Sequence, residues 1–440
     1  MCDMSLIAKV QENLAPWRQA TAWRVAYSGG LDSTVLLHIL ASLAPRETIP
    51  PLTAVHIHHG LQAVGDLWPE HCQRVCDELV VPLKVVRVSV APGASLEQAA
   101  RDARYAAFAA QLGDSEVLLV AQHADDQAET LLFRLLRGAG VRGLAAMPIS
   151  RSLGQGHVLR PLLNCSQAEL RGYAVKHNLQ WVEDPSNGDE QFSRNFLRRQ
   201  VLPMLTQRWP QAVSRFSQAT EHLREASEML DELAVQDLAA AQGSAGCGWL
   251  KLPSLALAPL RAISSARQRN ALRYWLRDLT SMPDTEHWEG WRNLRDAAVD
   301  AAPIWRLAGG EIHRGDERLW WLSGDWLRQP EPIRLPMVAG QPLALPGNGH
   351  VRIEGQLPVG DWSVVYRQGG EVMNLPGRGR RDLKRLLNEQ AVTKFIRGRL
   401  PLLICDGQLV AVANMPQLCA VKGAQWCFIW DLPTSDLGLS

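Results

Sequence analysis

Apolar and polar positions fall into two alternating textures along the first third of the chain. Short apolar runs at 25–27, 53–58, 83–88 and 117–121 read as buried strands. Between them, apolar residues spaced three and four apart predict helices at 31–40, 68–79 and 95–112, and a further helix ending at Arg137 with Gly138 as its cap. Ser95 and Gln98 make a capping box at the start of the third helix. Regular alternation of strand and helix implies a parallel, doubly wound α/β sheet, whose ligands sit at the carboxyl ends of the strands. Between 202 and 300 the texture changes to long helical periodicity (Phe216, Ala219, Leu223, Ala226, Leu230, Leu233) with no strand-like run. Beyond Pro330 the chain reads as short strands between Gly and Pro turns, with one helix at 381–388. The expected organisation is an α/β domain over 1–205, a helical domain over 206–330 and a small α+β domain over 331–440.

The first strand runs directly into Ser28, Gly29, Gly30, Leu31, Asp32 and Ser33, where the next helix opens. Two glycines let the backbone approach a ligand closely, and the helix start aims free N–H groups and the positive end of its dipole at the same point. Ser28 and Ser33 add hydroxyl donors. Such a turn suits an anion, yet the Asp32 carboxylate repels one unless a cation lies between. A phosphate group with Mg²⁺ held by Asp32 satisfies both demands. The Walker A loop needs a Lys before its Ser/Thr, and none is present.

Other strand ends carry further polar blocks. The second strand closes with His56, His58 and His59, where strand alternation argues against one metal shared by all three. On the third helix Glu97, Arg101 and Arg104 share one face, leaving Leu96, Ala99, Ala103 and Ala106 for the core. The fourth strand leads into Gln122, His123, Asp125, Asp126, Glu129 and Thr130. Adjacent carboxylates at a strand end need a cation, either Mg²⁺ or a positively charged substrate. Glu183, Asp184 and Asn187 then precede Arg194, Asn195 and Arg198.

Composition narrows the setting. At 440 residues the chain is too long for one ordinary core, and its net charge of +1 neither favours nor excludes a nucleic-acid partner. The start lacks the basic and apolar regions of a signal peptide, and no apolar run is long enough for a transmembrane helix, so a cytoplasmic enzyme without a membrane partner is expected. Eight cysteines without a Cys-x-x-Cys pair read as reduced, buried thiols.

The Ser-Gly-Gly-x-Asp-Ser loop resembles the pyrophosphate-binding loop of ATP pyrophosphatases. The four blocks together are similar to the tRNA(Ile)-lysidine synthetase family: that loop, the Ala-Arg-x-x-Arg-Tyr helix, His-x-Asp-Asp-Gln-x-Glu-Thr, and Asp-x-Ser-Asn followed by Arg-Asn-x-x-Arg. One departure is Gln122, where the family usually has a second His. The resemblance implies a Rossmann-like, adenine nucleotide alpha hydrolase-like catalytic domain that uses ATP and Mg²⁺. It further implies that free L-lysine is joined to C2 of the wobble cytidine in the CAU anticodon of tRNA(Ile), through an adenylated RNA. By the same resemblance, Asp32, Asp126 and Arg194 are catalytic; residues Ser28 to Ser33 and His59 bind the nucleotide; and Arg101, Arg104, His123, Asp125, Glu129, Arg137, Asn195 and Arg198 are candidates for the lysine and tRNA site. Family members are often homodimers, but no segment here marks an interface.

For RNA, the terminal domain offers a local signal. Arg378, Arg380, Arg381, Lys384, Arg385, Lys394, Arg397 and Arg399 crowd a stretch whose only acids are Asp382 and Glu389. With the resemblance, this reads as a surface that tracks phosphates. Arg261, Arg267, Arg269, Arg273 and Arg277 invite the same reading in the middle domain. A tRNA thiolase would need persulfide chemistry or paired cysteines at a strand end, and an amide ligase usually brings an ammonia-generating domain. Neither feature is present.

Overall fold

Parallel pairing organises the N-terminal half. The computed structural model describes residues 2–58, 60, 66–89, 96–184, 193–243, 248–281, 288–298, 301–315 and 317–434, the side chains of 2–5 and 96–98 excepted. The chain forms two compact units, Met1–Glu228 and Met229–Ser440. The side chains of the Ser95–Gln98 capping box and of Glu97, and the residues His59 and Asn187, lie outside what is described.

In the first unit the elements run α1 (Cys2–Leu14), β1 (Trp23–Ala26), α2 (Leu31–Leu43), β2 (Leu52–His58), α3 (Trp68–Glu78), β3 (Leu83–Arg87), α4 (Leu96–Gln111), β4 (Val117–Leu119) and α5 (Ala124–Leu136). They continue through α6 (Val141–Leu144), the hairpin β5 (Ser150–Leu153) and β6 (Gly156–Leu159), α7 (Gln167–Lys176), α8 (Ser193–Phe196), a π-helical turn (Leu197–Val201), α9 (Leu202–Arg208) and α10 (Ala212–Ala241), in which the unit boundary falls. The sheet order is β3-β2-β1-β4-β6-β5, parallel except for the β5–β6 hairpin. Val25 of β1 pairs with Ala54 on one side and Leu119 on the other. The winding therefore reverses between β1 and β4, and the loops after these two strands diverge to leave a crevice.

Burial explains why the elements form. Trp23 and Val25 of β1 and Val35, Leu36, Leu37, Ile39 and Leu40 of α2 are fully buried, so the helix is apolar nearly all round. α4 corrects one expectation. Tyr105, Phe108 and Leu112 pack on the sheet, while Ala106 is exposed. Aromatic and leucine side chains remove far more apolar surface from water than alanines do, so they choose the buried face.

The second unit holds α11 (Leu257–Arg261), α12 (Ser265–Leu276) and α13 (Trp288–Asp296). It also holds an antiparallel sheet of β7 (Ser254–Ala256), β8 (Ile304–Leu307), β9 (Gly310–Gly315) and β10 (Arg318–Ser323), in the order β7-β10-β9-β8. The purely helical reading of 206–330 left out this sheet. Every residue of β10 is buried, including Trp320 and Trp321, so the strand shows no polar alternation to mark it. The remainder comprises β11 (Arg334–Pro336), β12 (Leu343–Ala344), β13 (His350–Gly355), β14 (Trp362–Tyr366), β15 (Val372–Leu375), β16 (Gly379–Asp382), α14 (Leu383–Glu389), α15 (Lys394–Arg397), β17 (Pro401–Cys405), β18 (Gln408–Val412), β19 (Met415–Cys419) and β20 (Trp426–Asp431). Sheets β11-β14-β17-β18-β19 and β12-β13-β20, with the β15–β16 hairpin, enclose a core into which α14 inserts Leu383, Leu386 and Leu387. No helix among the described residues is long and apolar enough to cross a membrane.

Candidate active site

The loop after β1 is held by its own hydrogen bonds. Gly29 has φ +84°, a conformation that favours glycine, and a Cβ there would sit tightly at 3.1 Å from Cys72 Sγ and 3.2 Å from Val182. The Ser28 and Ser33 hydroxyls lie 3.0 Å apart, Gly30 N–H donates to Ser28 Oγ at 3.3 Å, and Ser33 Oγ donates to the Gly30 carbonyl at 3.0 Å. Asp32 follows in the first turn of α2, with Oδ1 buried and without a hydrogen-bond partner. An orphaned carboxylate oxygen beside a turn built for phosphate fits Mg²⁺, which is commonly held by one or two carboxylates together with substrate phosphates.

Across the crevice, β4 delivers His123 as the N-cap of α5. The imidazole is 2 % exposed, with Nε2 3.5 Å from Asp32 Oδ2 and 3.6 Å from Asp126 Oδ2, and Nδ1 3.5 Å from Asp125 Oδ2. Burial opposes a charge on His123, but Asp126, Asp125 and Asp32 outweigh it and raise its pKa to about 10. In the charged form Nδ1–H faces the Asp125 carboxylate; in the neutral form Nδ1 can accept from the Asp125 N–H at 3.3 Å. Asp125 also accepts the Gln167 N–H at 2.8 Å, which ties it to the start of α7.

Arg198 closes the cluster. It donates to Glu129 at 2.5 and 3.0 Å and to Asp126 at 2.9 Å. Burial pushes the Glu129 carboxyl above its ordinary value, against the pull of Arg198. The π-helical turn that carries Arg198 is a distortion often found where a helix serves a site.

Part of this cluster borders a cavity of about 740 Å³ whose lining includes Ser28, Asp32, Ser33, Arg104, Asp126 and Arg198. Gly30 and Leu31 also line it, while His123 and Glu129 stand behind. Arg101, Arg137, Arg194, Asn195 and Asp125 are not on this lining. Arg101 lies 5.2 Å from the centre of the Tyr105 ring. Burial alone would raise the Tyr105 phenol, yet Arg160, Arg101, Arg104 and Arg151 hold it below its ordinary value, a sign of positive potential on this wall. Gln122, the residue that departs from the family pattern, accepts from Arg160 Nε at 2.5 Å. Gln167, Arg171 and Trp181 also line the cavity, and no motif pointed to them. Cys72, Cys76 and Cys165 are free, buried thiols, pushed by burial up to about 12.

Among the basic residues of the second unit, Arg380, Arg381, Lys384 and Arg385 are exposed on β16 and the start of α14. Arg378 is exposed but pairs with Glu389 at 2.6 Å, Lys394 is exposed on α15, and Arg397 donates to Asn388 at 2.6 Å. Arg399 corrects the phosphate-tracking reading. It is 2 % exposed, lies 4.8 Å from the Trp326 ring and donates to the carbonyls of Asp325 and Arg328, so it serves the core. In the middle stretch, Arg261 pairs with Glu317 at 2.7 Å, Arg267 with Asp237 at 2.5 Å and Arg277 with Asp278 at 3.3 Å, while Arg273 lies 5.1 Å from the Trp288 ring. These four are engaged within the fold.

The chain matches models described as a PP-loop domain over residues 3–205, a TilS substrate binding domain over 255–320 and a TilS substrate C-terminal domain over 362–430. A tRNA(Ile)-lysidine synthase from Pseudomonas syringae pv. tomato is 58% identical, over 99% of this chain and 98% of that protein. The tRNA(Ile)-lysidine synthase of Pseudomonas fluorescens is 57% identical over 99% of each chain. That of Pseudomonas aeruginosa is 58% identical over 100% of each.

Proposed function

Since the chain belongs to the tRNA(Ile)-lysidine synthase family, we propose that its N-terminal cavity joins free lysine to C2 of the wobble cytidine in the CAU anticodon of tRNA(Ile). ATP is consumed to AMP and pyrophosphate, and the codon read changes from AUG to AUA. The observation that carries this reading is the meeting of Asp32 and Asp126, from two different strand ends, at His123 Nε2 beside a phosphate-type loop.

The chemistry divides into two displacements. In the first, the cytidine O2 bonds to the α-phosphorus of ATP and the bond to pyrophosphate breaks. The turn at Ser28–Ser33 holds the phosphates, and Arg104 and Arg198 on the same lining offset their charge. Asp32 would hold Mg²⁺, which when bound neutralises charge on the leaving pyrophosphate. In the second, the lysine side-chain amine bonds to C2 and AMP departs with the oxygen. That amine has an ordinary pKa of about 10.4, so only about one molecule in a thousand is nucleophilic at neutral pH. Asp126 receives the ammonium and helps take its proton. Arg198 and His123 hold the Asp126 carboxylate from two sides, which fixes its direction. In this assignment Arg198 touches the reacting carboxylate, and Arg194 does not. The exposed basic residues of β16 and α14 bind RNA phosphates, and the enzyme works in the cytoplasm, where ATP, lysine and tRNA meet.

The direct test incubates the chain with ATP, labelled lysine and unmodified tRNA(Ile). Lysine label becomes acid-precipitable only with ATP present and not with tRNA(Met). Transfer of a different amino acid, or no transfer at all, would refute the reading.

A further inference from the structure

Asp126, Glu129, Phe133 and Arg137 follow one another at helical spacing from the start of α5 to its C-cap, so the site continues outward along one stripe of the helix. The α8 segment and its π-helical turn run beside that stripe. Arg198 meets Asp126 and Glu129, and Arg194, one turn earlier, meets Phe133. The guanidinium carbons of Arg137 and Arg194 lie 5.2 and 6.0 Å from the centre of the Phe133 ring. Among the described residues, neither arginine has a carboxylate ion-pair partner within 4.0 Å. Leu136 and Phe196 flank them, 76% and 48% exposed. The surrounding sequence is equally one-sided: residues 130–168 contain five arginines and no Asp or Glu.

An aromatic ring beside two cations, outward along α5 from Asp126 of the cavity lining, has the chemistry that captures unpaired bases. Single-stranded RNA is gripped by stacking its bases on aromatic rings and guanidinium planes. Phe133 stands roughly 10 Å from Asp126 along the helix axis, a reach suited to the neighbour of a base splayed into the cavity. We propose that Arg194, Phe133 and Arg137 form a stacking ridge for the anticodon adenine next to the reacting cytidine. The inference rests on the function proposed above and adds an RNA-positioning surface to it. The ridge lies outside the cavity lining, so it orders the RNA without touching ATP or lysine.

The test uses tRNA(Ile) carrying 2-aminopurine in place of that adenine, whose emission is quenched by stacking. Binding to the parent protein changes the emission. Phe133→Leu keeps the apolar volume but removes the aromatic face, and it should lose the change and raise the tRNA KM about tenfold or more. Its ATP and lysine KM values should stay at parent levels, and Phe133→Trp should retain the quench. Parent-like emission and tRNA KM in Phe133→Leu would overturn the ridge. So would a weakening seen only on removing Arg137, which would mark phosphate contact alone. The fluorescence arm needs no turnover, so it reports on the ridge even where lysidine formation itself fails.

Discussion

Asp32 Oδ2 lies 3.5 Å from His123 Nε2, although the two residues stand after different strands, and Asp126 Oδ2 lies 3.6 Å from the same nitrogen. One buried imidazole thus holds a carboxylate of the phosphate loop and a carboxylate of α5 in fixed relation. The arrangement offsets the mutual repulsion of two nearby carboxylates, because the charge favoured on His123 attracts both. It also leaves Asp32 Oδ1 without a hydrogen-bond partner.

Replacing Asp32 separates catalysis from folding. Asp32→Ala is expected to cut ATP-dependent pyrophosphate release by roughly 10²–10³-fold. Its thermal midpoint should stay near the parent value, since His123 keeps Asp125 and Asp126 as partners. Undiminished AMP formation in this variant would remove Asp32 from the site.

The two adjacent aspartates should behave differently. Asp126 borders the cavity, whereas Asp125 is committed to the Gln167 N–H at 2.8 Å. Asp126→Asn should raise the lysine KM and lower turnover by roughly 10²-fold. Asp125→Asn should leave the lysine KM within a few-fold and act mainly on stability. Steady-state kinetics with lysine as the varied substrate decide the matter, and a reversed pattern would assign the amine to Asp125.

Arg198 joins stability to the site. Glu129 is 4% exposed, so Arg198→Ala leaves a buried carboxylate short of its donors. Folding stability should fall by about 1–3 kcal/mol, measured by urea denaturation. Adding Glu129→Gln to Arg198→Ala should recover much of that loss by removing the unpaired charge, but not the activity. A double variant as active as the parent would reduce the pair to a structural brace.

Basic residues of the second unit should divide by exposure. Reversing Arg380, Arg381 and Arg385 to Glu should weaken tRNA binding and flatten the slope of log affinity against log salt, by about one unit or less per lost contact. Arg399→Met should instead lower the thermal midpoint and leave that slope unchanged, because Arg399 is buried against Trp326 and two carbonyls. Filter binding across a salt series distinguishes the two, and an unchanged slope in the triple reversal would make the basic strand a merely solvated surface.

The sequence alone determined what depends on near neighbours. The strand–turn–helix at Ser28–Ser33, the carboxylates at the start of α5 and the alternation of the first four strands with their helices are all local, set by glycine conformation, helix starts and apolar period. Tertiary structure decided what joins distant segments: that Gln122 holds Arg160, that Arg198 and not Arg194 reaches Asp126, that Asp125 turns toward α7, and that Arg399 is buried while Arg381 is exposed. A periodic pattern tells which face of an element is apolar, but not which element packs against it or where a π-helical turn shifts a side chain around its axis. Those choices are made only when the whole chain closes, and here they separate the groups that face the cavity from the groups that hold them.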